Sequence, residues 1–372
     1  MVVHNVTALK RHSWLGSALR AGVLAAGFVA WAMAPRSSEA RRRNKVPKVP
    51  DVLYAHRGLH DVGSGLTSPD AHDAAKYVAF ARKMARQAGF GNDLSQADAD
   101  DVTGVPIAPE NSLPAFAAAC EAGFGIELDL HLTADHQVVV VHDSELMRVA
   151  GDSRRVEDLN YEELCQIPLF PSPSRIGDSE AKPLGATGTA SMSVASQHVP
   201  LFTDVLHLVA GRVPIVVEYK FDHQGWRSQD NELMERGNAL LREYEREYHG
   251  SYVVESFNAM AMRWYRNACP DVCRGQLSNP IPFPLHNIQD LGKVSAQDWR
   301  TWVRGWFGFD WLSRPDFAAY EWHGFDTIQM SLVRRLGAEP VTYTIHNEEE
   351  LSQSAQGFDR FIFEAFVPKC AR

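Results

Sequence analysis

The sequence predicts an α/β fold, a (β/α)8 TIM barrel preceded by an N-terminal transmembrane anchor. Short β-branched runs alternate with helical patterns, eight such runs can be counted, and charged residues close several of them where a barrel presents its loops. The chain has 372 residues, 45% of them apolar and 22% charged, a balance that suits one large core with insertions.

The anchor is read from Trp14 to Ala34, WLGSALRAGVLAAGFVAWAMA, 21 residues whose one charge is Arg20. That length can cross a bilayer. Lys10 and Arg11 precede it, whereas Arg36, Arg41, Arg42, Arg43, Lys45 and Lys48 follow, so the positive-inside rule places the catalytic domain in the cytoplasm. A cleavable signal ending at Ala32-Met33-Ala34 is the rival, weakened by Pro35 directly after it. The expected organisation is a membrane anchor over 1–35, a basic linker over 36–50 able to touch anionic headgroups, and the barrel over 51–372.

Candidate barrel strands are Val52–Ala55, Gly125–Leu130, Val213–Glu218, Tyr252–Glu255, Arg274–Leu277, Asp316–Tyr320, Pro340–Ile345 and Arg360–Phe363. Helical patterns between them include Ser112–Ala122, Asn231–Tyr248, Ala259–Ala268 and Thr327–Leu336. Gln137–Val141 follows the second strand too closely for a crossover helix and reads as an antiparallel hairpin arm. Insertions are expected at about 59–108, 170–198 and 278–315. The first holds an amphipathic stretch from Ala71 to Phe90, the second is rich in Ser, Pro and Gly, and the third crowds Trp299, Trp302, Trp306 and Trp311 together.

A net charge of −9 argues against nucleic acid as a partner. Five scattered cysteines do not form a disulfide framework, and Cys269 with Cys273 lacks the second pair a zinc site needs.

The chemistry gathers at strand ends. In Ile126-Glu127-Leu128-Asp129 the alternation of a strand puts Glu127 and Asp129 on one face, where two acids repel unless a cation or proton intervenes. Oxygen-only ligands suit Mg2+ or Ca2+. Glu218, in Val217-Glu218-Tyr219-Lys220, can complete that carboxylate set, and Lys220 offers a cation to phosphate. His56 ends the first strand and His142 the hairpin arm, two groups able to move protons near neutrality. Arg57 can grip a phosphate with two donors, and Gly58 permits close backbone approach.

His56-Arg57-Gly58, Pro109-Glu110-Asn111-Ser112, Glu127-x-Asp129, His142-Asp143, Glu218-x-Lys220 and Ser256-Phe257 occur in the order of the glycerophosphodiester phosphodiesterase family, which the chain resembles from about residue 52 onward. The resemblance implies one divalent cation on Glu127, Asp129 and Glu218, His56 and His142 as the acid–base pair, and Arg57 and Lys220 on the phosphate. Glu110 matches a family acid at the metal site, as ligand or support, and Asn111 supports it from a helix start. Tyr343-Thr344 and Phe363-Glu364 depart from the family's Trp-Thr and Thr-Asp, and the latter resembles a membrane-anchored bacterial branch.

The implied reaction is metal-dependent hydrolysis of a glycerophosphodiester to glycerol 3-phosphate and an alcohol. His142 is the expected acid toward the departing alcohol, with His56, Arg57 and Lys220 stabilising charge at phosphorus. Two alternatives stand beside it: a lysophospholipid phosphodiesterase of the phospholipase D type, and a catalytically silent membrane-tethered scaffold.

Overall fold

The computed structural model describes residues 20–91, 106–171, 197–223, 225–281 and 295–369. Nine strands run in chain order as β1 (Leu53–Ala55), β2 (Gly125–Leu132), β3 (Val138–Val140), β4 (Ile215–Tyr219), β5 (Tyr252–Ser256), β6 (Arg274–Ser278), β7 (Phe317–Glu321), β8 (Glu339–Ile345) and β9 (Arg360–Phe363). All but β3 pair in parallel, and β1 meets both β2 and β9, so eight strands close into the expected barrel. β3 pairs antiparallel with β2, the hairpin arm read from the sequence.

Strand alternation sorts the apolar residues into two cores. Tyr54, Val216, Val253, Leu277, Phe317, Val341 and Ile362 fill the barrel interior. Ala55, Ile126, Leu128, Ile215, Val217, Tyr219 and Val254 face outward, against helices such as Leu113–Ala122, Phe202–Val209 and Ser228–Tyr248. At Gly125 any side chain would collide with the Tyr54 ring, so the interior aromatic dictates glycine there.

The described part of the first insertion is tied down; 92–105 lie outside the described residues. Its helix Ala74–Gln87 buries Tyr77, Val78, Ala81 and Met84, and Arg82 donates to Asp61 at 2.8 Å. Most of the second insertion, 172–196, lies outside the described residues, as do 282–294 of the third. In the rest of the third, Trp299, Trp302 and Trp306 form a ladder of ring contacts along and beyond helix Ala296–Gly305. Cys269 and Cys273 are buried free thiols.

The membrane assignment is corrected. Among the described residues no helix is long and apolar enough to cross a membrane, which overturns the single-pass placement. Residues before Arg20, and with them the first part of the expected span, lie outside the described residues; the described residues of the helix are 20–32. Its end packs on protein at Ala32 and Met33, while Val23, Leu24, Phe28 and Trp31 stay exposed. Met33 is buried with Phe307 and Tyr320, and Trp31 stacks on Trp311 at 5.6 Å. Arg314 donates to the Trp31 and Ala34 carbonyls. The basic stretch 36–50 likewise folds onto the barrel, with Arg36 at 3.2 Å and Arg41 at 3.4 Å from Asp316, just before β7. Val49 enters the interior core from this N-terminal floor.

Candidate active site

Interior parity carries past the apolar core to the C-terminal mouth, where the chain turns acidic. Glu127 and Asp129 of β2, Glu218 of β4 and Glu255 of β5 follow the interior residues of their strands, and register places Asp129 beside Glu218 and Glu218 beside Glu255. All four are buried. Oxygens of Glu127, Asp129 and Glu218 lie within 4.8 Å of one another, a triad able to hold a metal ion.

Carboxyls outnumber cations in this cluster. Burial, then the charges of Asp129 and Glu218, push the Glu127 carboxyl well above the usual range. Burial also raises the Glu218 carboxyl, despite Lys220 beside it. Asp129 goes the other way: burial is outweighed by Lys220, His142 and Arg57, and it stays ionised. Glu255 is pushed well above its range, and its Oε2 has no hydrogen-bond partner among the described residues. Three buried carboxyls around one point, with Glu255 next to Glu218 on the neighbouring strand, offer only oxygen and fit a hard divalent ion such as Mg2+ or Ca2+.

Two cations already lean on the triad. Lys220 Nζ lies 2.8 Å from Glu218 and 3.1 Å from Asp129. Arg57 donates its backbone N–H to Glu127 at 3.0 Å and Nη1 to Glu110 at 2.9 Å, with Nε 3.5 Å from Asp129. This reach requires a sharp turn after β1, where Arg57 has φ 55° and Gly58 φ 82°. A side chain on Gly58 would strike the Ala115 backbone. Asn111 braces the turn: its N–H donates to the Arg57 carbonyl and its Nδ2 to Asp129, both at 2.9 Å.

The two histidines sit on different sides of the triad. His56 Nε2 is 3.9 Å from Glu127, while its Nδ1 is 2.6 Å from Glu364. Burial lowers the His56 pKa, although Glu364 opposes this, so the ring is held toward the neutral form. His142 lies near Asp129 and Glu218, whose carboxyls feel its charge. Its Nδ1 is 2.6 Å from Asp143, which fixes the ring and leaves Nε2 for the mouth.

Glu110 is placed as a support. It accepts from Arg57, from the Ser64 N–H and from both terminal nitrogens of Arg148, and this set draws its pKa down to about 2 against burial. It stands outside the triad.

Several contributors escaped the sequence reading. Arg148 bridges Glu110 and Asp143 and so ties the support of Arg57 to that of His142. His346 Nε2 lies 3.2 Å from Glu364 and its Nδ1 3.2 Å from Glu350, extending the line from His56 to the barrel's outer helix Glu348–Ser354. Ser64 donates to Glu364 from the first insertion. Only Glu255 carried a readable signal, an acid two residues after Val253 in an apolar strand.

Known proteins resemble this arrangement. A lysophospholipase D named GDPD1 from Rattus norvegicus is 27% identical over 178 residues, 48% of this chain and 46% of that protein. A glycerophosphodiester phosphodiesterase from Bacillus altitudinis is 32% identical over 120 residues, 32% of this chain and 42% of that one. The chain thus spans about half the length of the curated relatives it matches, or less. A solved structure from Silicibacter pomeroyi DSS-3 that bears the glycerophosphoryl diester phosphodiesterase name superposes with a TM-score of 0.52 at 18% identity, covering 87% of this chain and 93% of that one, a likeness of fold. A profile of the glycerophosphoryl diester phosphodiesterase family matches residues 100–295, which is 196 of 372 residues and includes the whole acidic cluster. The chain belongs to the glycerophosphoryl diester phosphodiesterase family.

Proposed function

We propose that this protein hydrolyses glycerophosphodiesters to glycerol 3-phosphate and an alcohol with the help of one divalent cation. The observation that carries the reading is two histidines, each fixed by its own carboxylate, flanking an oxygen-only triad in one barrel mouth. Glu127, Asp129 and Glu218 would hold the cation, which when bound supplies positive charge to phosphate oxygens and lowers the pKa of a hydroxyl. Arg57 and Lys220 bind the remaining phosphate charge from two directions.

His56, held toward neutrality with Nδ1 on Glu364, takes the proton from the oxygen that attacks phosphorus. That oxygen belongs to water, or to the neighbouring glycerol hydroxyl, in which case a water must then open the cyclic phosphate to give glycerol 3-phosphate. His142, oriented by Asp143, gives a proton to the alcohol as its bond to phosphorus breaks. Similarity to GDPD1 lysophospholipases D supports a second reading in which the glycerol carries an acyl chain and the same bond is cut.

The test is release of glycerol 3-phosphate by the full chain with Mg2+, with Ca2+ and with EDTA, beside Glu127→Ala. Metal-dependent release lost in the variant is the expected result. Release of choline from lysophosphatidylcholine micelles without glycerol 3-phosphate would move the assignment to the second reading, and inactivity on both would leave a scaffold.

A further inference from the structure

Residues 60–65, at the start of the first insertion, lie against two carboxylates that support the site from behind. Glu364 receives His56, and Glu110 receives Arg57. Ser64 stands between them. Its backbone N–H donates to Glu110 Oε2, and its hydroxyl donates to Glu364 Oε2 at 3.0 Å. That Glu364 oxygen is the one 2.6 Å from His56 Nδ1. The other, Oε1, lies 3.2 Å from His346 Nε2. Both oxygens are thus occupied, and the plane of the carboxylate is fixed.

The segment that carries Ser64 is a strap drawn tight over these acids. Gly63 and Gly65 flank the serine with φ of 145° and 74°. A side chain on Gly63 would strike Glu110, and one on Gly65 would strike Glu364, so only bare backbone comes this close. His60, 0% exposed, clamps the strap: its Nδ1 is 3.2 Å from the Gly58 carbonyl and its Nε2 3.1 Å from the Ser64 carbonyl. One clamp point belongs to the turn that aims Arg57, the other to Ser64 itself. Whichever neutral tautomer the ring holds, one of these carbonyls receives its N–H. Asp61 next to it accepts the Ile107 and Ala108 N–H groups, and the Glu110 N–H donates to the Val62 carbonyl.

This arrangement bears on the tautomer of His56. Burial alone would raise the Glu364 carboxyl, but His56 and His346 beside it prevail and hold it well below its usual range, so it is ionised and can only accept. The proton of a neutral His56 then sits on Nδ1, and the lone pair lies on Nε2, on the Glu127 side. A base needs that lone pair toward the attacking oxygen.

We propose that Ser64 is a positioning residue for His56: it aligns Glu364 so that His56 keeps its proton on Nδ1, and the His60 clamp holds Ser64 in register with the Arg57 turn. This rests on the phosphodiesterase reading above, in which His56 is the base.

The experiment is a double-mutant cycle of Ser64→Ala and Glu364→Gln in the full chain with its activating metal. Two substrates are compared, an ordinary glycerophosphodiester and one with an activated, low-pKa leaving group. Ser64→Ala is expected to lower kcat about ten-fold on both, with KM changed less than about two-fold, because either substrate needs the base. The double variant should fall within about three-fold of Glu364→Gln alone, since both changes break one line of contacts. A kcat within about two-fold of wild type, multiplicative losses in the double variant, or rescue of Ser64→Ala by the activated substrate overturns the proposal. Nitrogen-15 NMR of the labelled histidines reads the tautomer without turnover. His56 should carry its proton on Nδ1 in the wild type and on both nitrogens in exchange in Ser64→Ala. A wild-type proton on Nε2, or a ratio that Ser64→Ala leaves unchanged, overturns the proposal, and the wild-type spectrum decides even if the variant does not fold. A tautomer that shifts in Ser64→Ala, with no diester hydrolysed by the wild type, keeps the positioning role and removes the phosphodiesterase reading. Hydrolysis with a tautomer indifferent to Ser64 does the reverse.

Discussion

Replacing Glu364 by Gln removes one negative charge from between two histidines while keeping the shape of the side chain. In the wild type Glu364 receives His56 at 2.6 Å, His346 at 3.2 Å and the Ser64 hydroxyl at 3.0 Å. A hydrogen bond to a charged group contributes about 1.5–3 kcal/mol. If that support acts on His56 during proton transfer, its loss lowers kcat by about 10- to 100-fold at roughly 1.4 kcal/mol per decade. A second signature comes from His346. Burial disfavours its imidazolium, but hydrogen bonds and charge from Glu350 and Glu364 prevail and raise its pKa from 6.5 to about 9. A histidine raised on folding contributes stability that is fully present below pH 6.5 and lost as pH climbs through about 9. The rise corresponds to about 3 kcal/mol, of which Glu364 supplies one of two acidic partners, so about 1–2 kcal/mol is at stake. Steady-state kinetics and urea unfolding at pH 6 and pH 10 are the assays. Glu364→Gln should lose kcat with little change in KM, and lose stability at pH 6 but hardly at pH 10. A kcat within two-fold of wild type, or an equal stability loss at both pH values, would refute the reasoning.

Other expectations follow from the same contacts. Glu218→Gln should weaken divalent-cation binding, read by calorimetry, at least about 100-fold, since even supporting residues of metal sites change affinity by 10- to 100-fold. His142→Ala should be inert on glycerophosphodiesters yet near normal with an activated, low-pKa leaving group; equal losses on both would remove His142 as the acid. Arg36→Ala exposes the cost of burying Asp316, whose pKa burial lifts to about 7 even with Arg36 and Arg41 beside it. A carboxyl raised on folding is tolerated when protonated, so the loss should be modest at pH 5 and reach about 3 kcal/mol at pH 8 in urea melts. Gly65→Ala adds a side chain that strikes Glu364 at a position with φ 74°, and should reduce kcat in the same direction as Glu364→Gln.

Much of this molecule was legible because strands are periodic. Alternation put Glu127 and Asp129 on one face before any coordinates, and β-branched runs marked all eight barrel strands and the hairpin arm to within a few residues. What stayed hidden depends on partners far apart in the chain. Arg148 gains its meaning from Glu110, 38 residues earlier, and His346 from Glu364 across β9. The N-terminal stretch misled for an opposite reason: apolarity records what a segment avoids, water, and not whether lipid or protein replaces it. Met33 is covered by protein, against Phe307, while Trp31 stacks on Trp311 with about half its surface open.

The docking of residues 31–50 on the barrel floor also gives the molecule a top and a bottom for anyone attaching something to it. Barrel strands of about five residues are roughly 17 Å long, so a label on the docked stretch 36–50 sits below the barrel, about a strand length from the mouth. The other end of the chain has no such clearance. Glu364 lies five residues before Lys369, whose N–H is held by Glu348 next to the His346 line. A bulky group attached at Lys369 would sit beside Glu348 and the His346–Glu364 line, and kinetics measured on such a protein would report the group as much as the site.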